Sequence, residues 1–476
     1  MNALIYPAPV EEDAAVDYVL TIGGQPVFTY PARVSAVPLN QVWPGYQRPK
    51  SQTEMASFAS WDMTGPVEVQ VISARPVQSV RVRPSAAGIA PRVEGDAIRF
   101  TISRPGQYTL EVNGMHRALH LFANPPEQNA PDPQDPNVRY FGPGVHCPGV
   151  ITLTGSQTVY LAGGAVVYGI IVAENAENII IRGRGILDGS KFGRTDWENA
   201  DARGLITLLG CNHVVIEGIT LRDPSLWTVI PVDCQNVYIN NVKLIGLWRY
   251  NADGIDFVNC QHGVVEDCFV RSFDDSIVFK GLNAWGRFTC SSKTIEDFRV
   301  RRCVVWNDWG RALEIGAETI ATEMSSLLFE DCDIIHTAHI AMDVQNSHMA
   351  LCRDMVFRNI RVEMDDGSAQ PVMQQYQDQV YSALADDYLP YLIVLENTKN
   401  IYSGDSERGR IQDICFEDIA VTAPRMPLSL LKGYDAEHLV QHVSIENLRH
   451  NGQMLTDLAA SGITANAFVR EVILKP

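Results

Sequence analysis

A short apolar strand, a polar pair and a second short strand recur from about residue 178 to the end of the chain. Examples are NIIIRGRGI at 178, HVVIEGITL at 213 and FRVRRCVV at 298. One apolar position marks each unit, and these positions are Ile181, Ile216, Ile239, Val265, Val300, Phe329, Phe357, Phe416 and Ile445. They are separated by 35, 23, 26, 35, 29, 28, 59 and 29 residues, where we interpret 59 as about two periods. Such units, with almost no helical periodicity, predict a solenoid of parallel strands, here a right-handed parallel β-helix.

The cysteines fit this repeat. Cys268, Cys303 and Cys332 each lie three residues after the marker position of their unit, so we expect them to share one buried ladder. The ten cysteines form no CxxC pair and show no zinc-ligand spacing. Together with Cys415, these three lie in apolar strand runs, which predicts small buried hydrophobic groups rather than disulfides and suits a reducing compartment.

The first 125 residues have a different pattern, in which short alternating runs are separated by Pro and Gly. The runs are Val67–Val71, Val80–Val82, Ala97–Ile102 and Tyr108–Val112. They predict a small antiparallel β-sandwich over residues 1–125. A proline-rich linker follows at 126–137 and the β-helix at 138–476, so the predicted fold class is all-β. An insertion near 364–412 interrupts the repeat, and we expect it to close one end of a groove or to form a contact in a homo-oligomer.

Charge and hydropathy then exclude several classes of function. The 476 residues carry a formal charge of −18, which argues against nucleic-acid binding and disfavours a polyanionic substrate. No run of about 18 apolar residues is present, so no membrane span is predicted. The N-terminal residues lack the basic and apolar regions of a signal peptide, which predicts a cytoplasmic protein, or a secreted one if the chain is trimmed.

Three carboxyl groups stand out by their position in the repeat. Asp274 and Asp275 lie between two strands of one coil, and Asp253 precedes Asp274 by 21 residues, about the length of a coil. Neighbouring rungs of a parallel sheet are about 4.8 Å apart, so the three groups should converge. Crowding of this kind raises at least one pKa, as glycoside hydrolysis requires. From spacing alone, a polar ladder at a turn of the solenoid explains the residues equally well.

At these residues the chain resembles the polygalacturonases of glycoside hydrolase family 28 and the dextranases and isopullulanases of family 49. The sequence NADG at 251–254 resembles the polygalacturonase NTDG motif, and FDD at 273–275 resembles GDD. IVFK at 277–280 is similar to the IAIK that follows GDD. The segment that begins at Trp227 is similar to a pair of strands that the family has before these motifs. The resemblance covers most of residues 140–450.

The resemblance implies an inverting mechanism. Asp274 would be the general acid that protonates the glycosidic oxygen. Asp253 and Asp275 would together position and deprotonate the water that attacks the anomeric carbon from the opposite face. Inverting enzymes leave about 6.5–9.5 Å between acid and base for this water.

Departures from the family pattern bear on the substrate. Arg311 occupies the position of the family's GHG histidine, and Ala341-Met342-Asp343 occupies that of its RIK motif. An aspartate in place of the lysine that holds a uronate carboxylate would repel such a ligand, which favours a neutral sugar. The predicted substrate-binding residues are Lys280, Arg311, Glu314, Asp343 and Trp227. Each also has a structural interpretation. Arg311 and Glu314 could form an ion pair at the rim of the site, Lys280 could offset the negative charge of the aspartates, and Trp227 could pack in the protein interior.

The sequence therefore predicts a glycosidase of a neutral poly- or oligosaccharide, with no metal or cofactor and with carbohydrate as its partner. His336, His339 and His348 lack metal-ligand spacing. The alternatives are an intramolecular glycosyl or fructosyl transferase, a polysaccharide lyase, and a non-catalytic carbohydrate-binding β-helix.

Overall fold

The computed structural model describes residues 2–41, 47–195, 202–364, 372–374, 388–400, 403 and 406–476. These residues form β-strands and two short 3₁₀ helices, Lys50–Gln52 and Ser85–Ala87, and the described ranges hold no α-helix. No described helix has the length and apolar character needed to cross a membrane.

Among the residues that the structure describes, twelve strands precede the predicted linker. They are β1 (Ala3–Ile5), β2 (Tyr18–Ile22), β3 (Gln25–Val27), β4 (Tyr30–Ser35), β5 (Leu39–Gln41), β6 (Thr53–Met63), β7 (Val67–Ser73), β8 (Val80–Arg83), β9 (Arg92–Glu94), β10 (Ala97–Ile102), β11 (Gly106–Val112) and β12 (Leu119–Asn124).

The remaining strands begin after residue 137. They are β13 (Val138–Phe141), β14 (Gly144–Leu153), β15 (Thr158–Leu161), β16 (Ala165–Glu174), β17 (Glu177–Gly183), β18 (Ile186–Asp188), β19 (Ile206–Leu209), β20 (Asn212–Glu217), β21 (Thr220–Arg222), β22 (Val229–Val232), β23 (Gln235–Asn240), β24 (Lys243–Ile245), β25 (Ile255–Val258), β26 (Gln261–Glu266), β27 (Phe269–Ser272), β28 (Ile277–Gly281), β29 (Ala284–Trp285), β30 (Phe288–Thr289), β31 (Thr294–Arg301), β32 (Val304–Asn307), β33 (Arg311–Thr319), β34 (Glu323–Glu330), β35 (Asp333–His336), β36 (Ile340–Asn346), β37 (Leu351–Arg358), β38 (Arg361–Glu363), β39 (Val372–Gln374), β40 (Tyr391–Asn397), β41 (Arg410–Glu417), β42 (Ala420–Thr422), β43 (Ser429–Lys432), β44 (Val440–Glu446), β45 (Arg449–His450), β46 (Gln453–Met454), β47 (Ile463–Ala465) and β48 (Val469–Lys475).

The N-terminal strands form a two-layer sandwich. One sheet has the order β1-β6-β12-β11-β8 with β4 also on β6, and the other has the order β3-β2-β7-β10-β9. Their inner faces meet at residues such as Leu20, Trp61, Val69, Leu110 and Leu121. The predicted β-sandwich is confirmed, but its predicted antiparallel pairing was wrong in one place, because β12 pairs with β6 in parallel. A long connection through both sheets separates these strands, and only such a crossover permits parallel pairing.

The rest of the chain winds into a right-handed parallel β-helix. A 12-stranded sheet and a 21-stranded sheet run along it. In the 12-stranded sheet the nine marker positions lie directly beside one another, from Ile181 opposite Ile216 to Phe416 opposite Ile445. The predicted period is confirmed, except that Phe357 pairs directly with Phe416. The 59-residue interval is therefore one step between neighbouring rungs and not two, and much of the insertion predicted near 364–412 lies outside the described residues.

The backbone conformation explains why each unit contains a polar pair. Its second residue adopts a positive φ in every unit, and these residues are Gly183, Gly218, Asn241, Asp267, Arg302, Asp331, Asn359, Asp418 and Asn447. Gly tolerates this left-handed conformation because it lacks a Cβ, and Asn and Asp tolerate it better than other residues do. The chain thus turns at the same place in each coil. Arg302 departs from these types, and its guanidinium pairs with Glu266 and Asp267.

All ten cysteines are free thiols. Cys268, Cys303 and Cys332 are fully buried and contact one another along a single ladder, as predicted. Cys415 is only half-buried, so its predicted burial was wrong. It precedes the inward-facing Phe416, and alternate residues of a strand face opposite sides.

The sandwich packs against the 21-stranded sheet. Phe58 and Phe122 of the sandwich join Phe269 and Trp306 of the β-helix in one apolar cluster. Beside it lies a group of buried charges that we call the interface cluster, consisting of Arg83, Glu111, His336 and Glu363. Arg83 lies 3.0 Å from Glu111 and 2.5 Å from Glu363, and His336 pairs with the other oxygen of Glu111. The sandwich is thereby fixed to the coils that follow the acidic turns.

Candidate active site

Asp253, Asp274 and Asp275 lie together at one corner of the β-helix. Asp253 is in the turn before β25, and the other two are in the turn before β28. The two turns are adjacent rungs, since the Gly254 amide donates to the Asp275 carbonyl at 2.8 Å and the Asp274 amide donates to the Ala252 carbonyl at 3.2 Å. The structure thus brings the three predicted catalytic carboxyls together.

Close packing fixes the backbone of these turns. A Cβ on Gly254 would lie 2.2 Å from the Ser276 carbonyl oxygen, and a Cβ on Gly310 would lie 2.7 Å from the Asp274 Oδ1 atom. The side chains of Ser272 and Asn307 both donate to the Asp274 carbonyl at 2.7 Å. Only glycine fits at positions 254 and 310, where the neighbouring rungs approach the aspartates too closely for a Cβ atom.

The three carboxyl groups are almost fully buried. Asp253 is 1% exposed, Asp274 5% and Asp275 4%. Burial and the nearby Asp275 charge raise the pKa of Asp274 to about 7. Burial also acts to raise the pKa of Asp275, but Lys280, Arg311 and a hydrogen bond with Glu314 outweigh it and hold that pKa below its ordinary value. At neutral pH the neighbouring groups therefore differ in charge, with a proton largely retained on Asp274 and absent from Asp275.

Lys280 supplies the first of two buried cations. Its Nζ atom lies 3.1 Å from the Asp275 Oδ2 atom, 3.7 Å from the Asp253 Oδ2 atom and 3.5 Å from the Glu318 Oε2 atom. The same ammonium lies 4.8 Å from the centre of the Trp227 ring. Trp227 in turn packs on Trp285 at 4.9 Å, so its ring contacts Lys280 and a second indole within a buried cluster.

Arg311 supplies the second cation. Its guanidinium lies 3.6 Å from Asp275, 3.8 Å from Glu314 and 3.4 Å from Asp343. Its backbone amide also donates to the Asp275 Oδ1 atom at 3.3 Å. The arginine at the position of the family histidine therefore contacts the predicted base directly. With its side chain 15% exposed, it lies at the more open side of the site.

Glu314 and Asp343 are opposite each other on neighbouring strands β33 and β36. Both are 0% exposed, and none of their four carboxyl oxygens has a hydrogen-bond donor. Burial raises the pKa of Glu314, and burial together with the charges of Asp275 and Glu396 raises that of Asp343 to about 7 despite the opposing effect of Arg311. Like charges opposite each other in a sheet are destabilising, so this pair favours binding a proton or a ligand.

Two further carboxyl groups escaped the sequence analysis. Asp256 lies three residues after Asp253 on β25, and Glu318 pairs with Lys280 from β33. Asp256 could have been identified from alternation, because Ile255 and Phe257 face the core and the residue between them must face outward. Glu318 carried no such signal, since the contact depends on a local shift of register between β28 and β33.

We define the site cluster as these acidic groups and the two cations, namely Asp253, Asp256, Asp274, Asp275, Glu314, Glu318, Asp343, Lys280 and Arg311. Seven carboxyl groups thus surround two cations. Within the described residues, no group of three or more His, Cys, Asp or Glu side chains has the geometry of a metal site. The chemistry that the cluster can perform is proton transfer between carboxyl groups of unequal pKa.

Curated relatives match part of the chain. A probable polygalacturonase of Vitis vinifera is 25% identical over 159 residues, which is 31% of this chain and 32% of that protein. The polygalacturonase QRT2 of Arabidopsis thaliana is 28% identical over 118 residues, or 22% of this chain and 26% of that protein. The chain thus spans about a third or less of the relatives it matches. No family model matches.

A solved structure matches nearly the whole chain. Dex49A from Penicillium minioluteum covers 99% of this chain and 96% of its own, with a TM-score of 0.64 and 14% identity. At this identity the likeness shows the fold. The chain is similar in part of its sequence to polygalacturonases, which are glycoside hydrolases, and shares the fold of Dex49A along almost its entire length.

Proposed function

We propose that this protein is an inverting glycoside hydrolase that cleaves a neutral poly- or oligosaccharide with three aspartates. The partial similarity to polygalacturonases supports the reaction class. The observation that carries the proposal is the pair of adjacent carboxyl groups whose surroundings drive their pKa values apart. The pKa of Asp274 is raised to about 7 and that of Asp275 is lowered.

In this mechanism Asp274 gives its proton to the glycosidic oxygen as the bond to the anomeric carbon breaks. A water molecule forms the new bond to that carbon and transfers a proton to Asp275. Asp274 ends as a carboxylate and Asp275 as an acid, and exchange of one proton with solvent restores both. Lys280 and Arg311 keep Asp275 ionised beforehand, because each lies within 4 Å of it.

The stereochemical part of the proposal rests on the family resemblance. The side chains of Asp274 and Asp275 are in hydrogen-bonding contact, which is closer than the separation of about 6.5–9.5 Å usual for inverting enzymes. A water molecule therefore does not fit between these two groups and has to approach Asp275 from another side. Proton NMR of the first product formed distinguishes the outcomes, because inversion and retention give opposite anomers at the new reducing end.

A neutral substrate is supported by the charges around Arg311. Asp343 and Glu314 lie within 4 Å of its guanidinium, so this cation already has two carboxyl neighbours besides Asp275. A uronate carboxylate would have to compete with all three. Sugar hydroxyls are uncharged and do not compete for Arg311 in this way. Under this proposal Arg311, whose side chain is 15% exposed, meets the sugar next to the scissile bond, and the fully buried Glu314 and Asp343 hold its guanidinium in place.

The test is product analysis of the wild-type protein and of Asp274→Asn on a panel of neutral and uronate-containing glycans. New reducing ends, without the ultraviolet absorbance of an unsaturated sugar and lost in the variant, are the expected result. Asp413→Asn is the matched control, because Asp413 is an exposed aspartate of β41 paired with His442.

Other outcomes contradict the proposal in different ways. Full turnover by Asp274→Asn would remove Asp274 as the acid. An unsaturated product would indicate a lyase, and a cyclic or transferred product without reducing ends would indicate an intramolecular transferase. Binding of a glycan by a folded wild-type protein that never cleaves any glycan would indicate a carbohydrate-binding β-helix.

A further inference from the structure

Asp256 is a buried carboxyl group for which the mechanism above has no use. Its neighbours Ile255 and Phe257 face the core of the β-helix, so its side chain faces the site. It is 0% exposed, and neither of its oxygens receives a hydrogen bond from a conventional donor. Among the described residues it forms no ion pair within 4 Å, although Lys280 is near enough to act on it electrostatically.

The partner of Asp256 is Asp253. Their side chains are in hydrogen-bonding contact, and the Asp253 Oδ1 atom is likewise without a conventional donor. Two ionised carboxylates offer only acceptors and repel each other, so this contact requires a proton between them. The surrounding charges also favour a proton on the pair. The negative charges of Asp274, Asp275 and Glu318 raise its pKa values, and Lys280 lowers them.

We propose that Asp253 and Asp256 share one proton, carried by Asp253, so that Asp253 orients the attacking water as a neutral acceptor and Asp275 alone takes the water's proton. This inference rests on the proposed function and changes the role that the family resemblance gives to Asp253. Asp256 is a positioning residue in it, since it acts through Asp253.

Burial supports a proton on this pair of carboxyl groups. It raises the pKa of both groups well above the ordinary value, and the charge of Asp256 raises that of Asp253 further. The hydrogen bond from Asp253 acts in the opposite direction on Asp256 and lowers its pKa, as expected if Asp253 is the donor of the pair. Lys280, 3.7 Å from the Asp253 Oδ2 atom and 3.1 Å from Asp275, stabilises negative charge mainly on the nearer Asp275.

The proton balance of the reaction is unchanged. The water oxygen bonds to the anomeric carbon and one O–H bond of the water breaks, with that proton passing to Asp275. The bond from the anomeric carbon to the leaving oxygen breaks and that oxygen receives the proton of Asp274. The Asp253 proton stays on the Asp253–Asp256 pair throughout.

Asparagine copies the shape and the hydrogen bonds of a neutral aspartic acid, which makes the inference testable. Asp253→Asn should lose at least about tenfold less kcat than Asp275→Asn, because its amide donates to Asp256 and its carbonyl accepts from the water. Asp253→Leu and Asp275→Asn should each lose at least about 100-fold, the usual lower bound for a lost general base or its water. Circular dichroism and thermal unfolding establish that each variant is folded.

The outcomes separate this inference from the proposed function. Loss in Asp253→Asn as large as that in Asp275→Asn would show that Asp253 works as an ionised base, and would overturn the shared proton while leaving the hydrolase intact. Full activity of Asp275→Asn would instead overturn the proposed function itself.

Infrared spectroscopy reads the proton directly and requires no substrate. The difference between wild type and Asp253→Asn at pH 7 should contain the C=O band of a protonated carboxyl group, which ionised carboxylates lack. Asp256→Asn should make that band titrate at lower pH, because the Asp256 charge that raises the pKa of Asp253 is removed. Absence of the band, or an unchanged midpoint in Asp256→Asn, would contradict the inference, and Asp413→Asn should leave this band unaltered.

Discussion

The interface cluster and the site cluster are both buried groups of charge, but their carboxyl groups respond to burial in opposite ways. In the interface cluster Glu111 contacts Arg83 at one oxygen and His336 at the other. Burial acts to raise its pKa, but these partners lower it to about 2. In the site cluster seven carboxyl groups share two cations, and the pKa values of Asp274 and Asp343 are raised to about 7. The number of partners per carboxyl group, and not burial alone, sets the direction.

The difference separates stability from chemistry. A buried carboxylate with a hydrogen-bonding partner at each oxygen, one of them an arginine, is ionised at every physiological pH and holds two parts of the fold together. A buried carboxyl group without enough donors retains a proton that it can give away, and it does so at a cost in folding free energy. Four predictions test this separation, from the largest expected effect to the smallest.

Asp274→Asn should lower kcat by about 10²–10⁴-fold, because an amide cannot donate the proton that the leaving oxygen needs. It should not lower the free energy of unfolding, since one of several crowded carboxyl groups is removed. Kinetics on a cleaved glycan and urea unfolding measure the two effects. A variant that loses activity and stability together would show that Asp274 is structural.

Glu111→Gln should have the converse effect. It leaves the buried Arg83 and His336 without their shared carboxylate and should cost about 3–5 kcal/mol of unfolding free energy. Activity per folded molecule should persist. Glu68→Gln is the matched control, because Glu68 pairs with Arg99 on the exposed surface, and such pairs contribute at most about 1 kcal/mol. An equal loss of unfolding free energy in Glu111→Gln and Glu68→Gln would show that the buried pair contributes no more to stability than the exposed one.

Arg311→Gln should move both limbs of the pH profile of kcat/KM to higher pH. Arg311 lowers the pKa of Asp275 and also that of Asp274, so both values rise when the guanidinium is removed. In the wild type the alkaline limb should lie near pH 7, where Asp274 loses its proton. Limbs at the wild-type positions in the variant would show that Arg311 does not set the charge of the pair.

The two clusters should give opposite slopes of stability against pH. The folded-state pKa of Asp343 is raised to about 7, so the folded protein binds more protons than the unfolded chain and stability falls as the pH rises from about 4 to 7. The pKa of Glu111 is lowered to about 2, so its contribution is present above about pH 4.5 and is lost as the pH falls toward 2.

Asp343→Asn should therefore reduce the slope between pH 4 and 7 and leave the acidic slope unchanged. Glu111→Gln should do the reverse. Thermal unfolding at a series of pH values measures both. A slope between pH 4 and 7 that is the same in wild type and Asp343→Asn would contradict the raised pKa of Asp343.

Much of the fold could be predicted because a solenoid repeats the same contacts in every coil. Marker positions such as Phe329 and Phe357 recur at a fixed place in their units, so the local pattern predicts which residues pair between coils. The rings of these two residues stack with their centres 4.7 Å apart. The convergence of Asp253 with Asp274 and Asp275 followed from the same periodicity. In these features, residues that are one repeat apart in the sequence are neighbours in space.

The features that sequence reasoning missed lack this relation. The contact of Glu318 with Lys280 depends on a local irregularity of strand pairing, and that of Glu111 with His336 joins residues of different domains. Asp256 was missed for another reason, because it stands on the strand that follows the acidic turn, where a lone aspartate between apolar residues has no distinctive spacing. The parallel pairing of β6 and β12 has no local signal at all.

The direct pairing of Phe357 with Phe416 shows how this architecture can acquire new parts. Within the 59 residues between them the chain contributes β38 and β40 to the second sheet, and β41 then pairs in register with β37. The entropy of closing a loop grows only with the logarithm of its length, so lengthening such a connection costs little. Segments can therefore be inserted or exchanged at the rim of a coil, by evolution or by design, while the stacked rungs below keep their alignment.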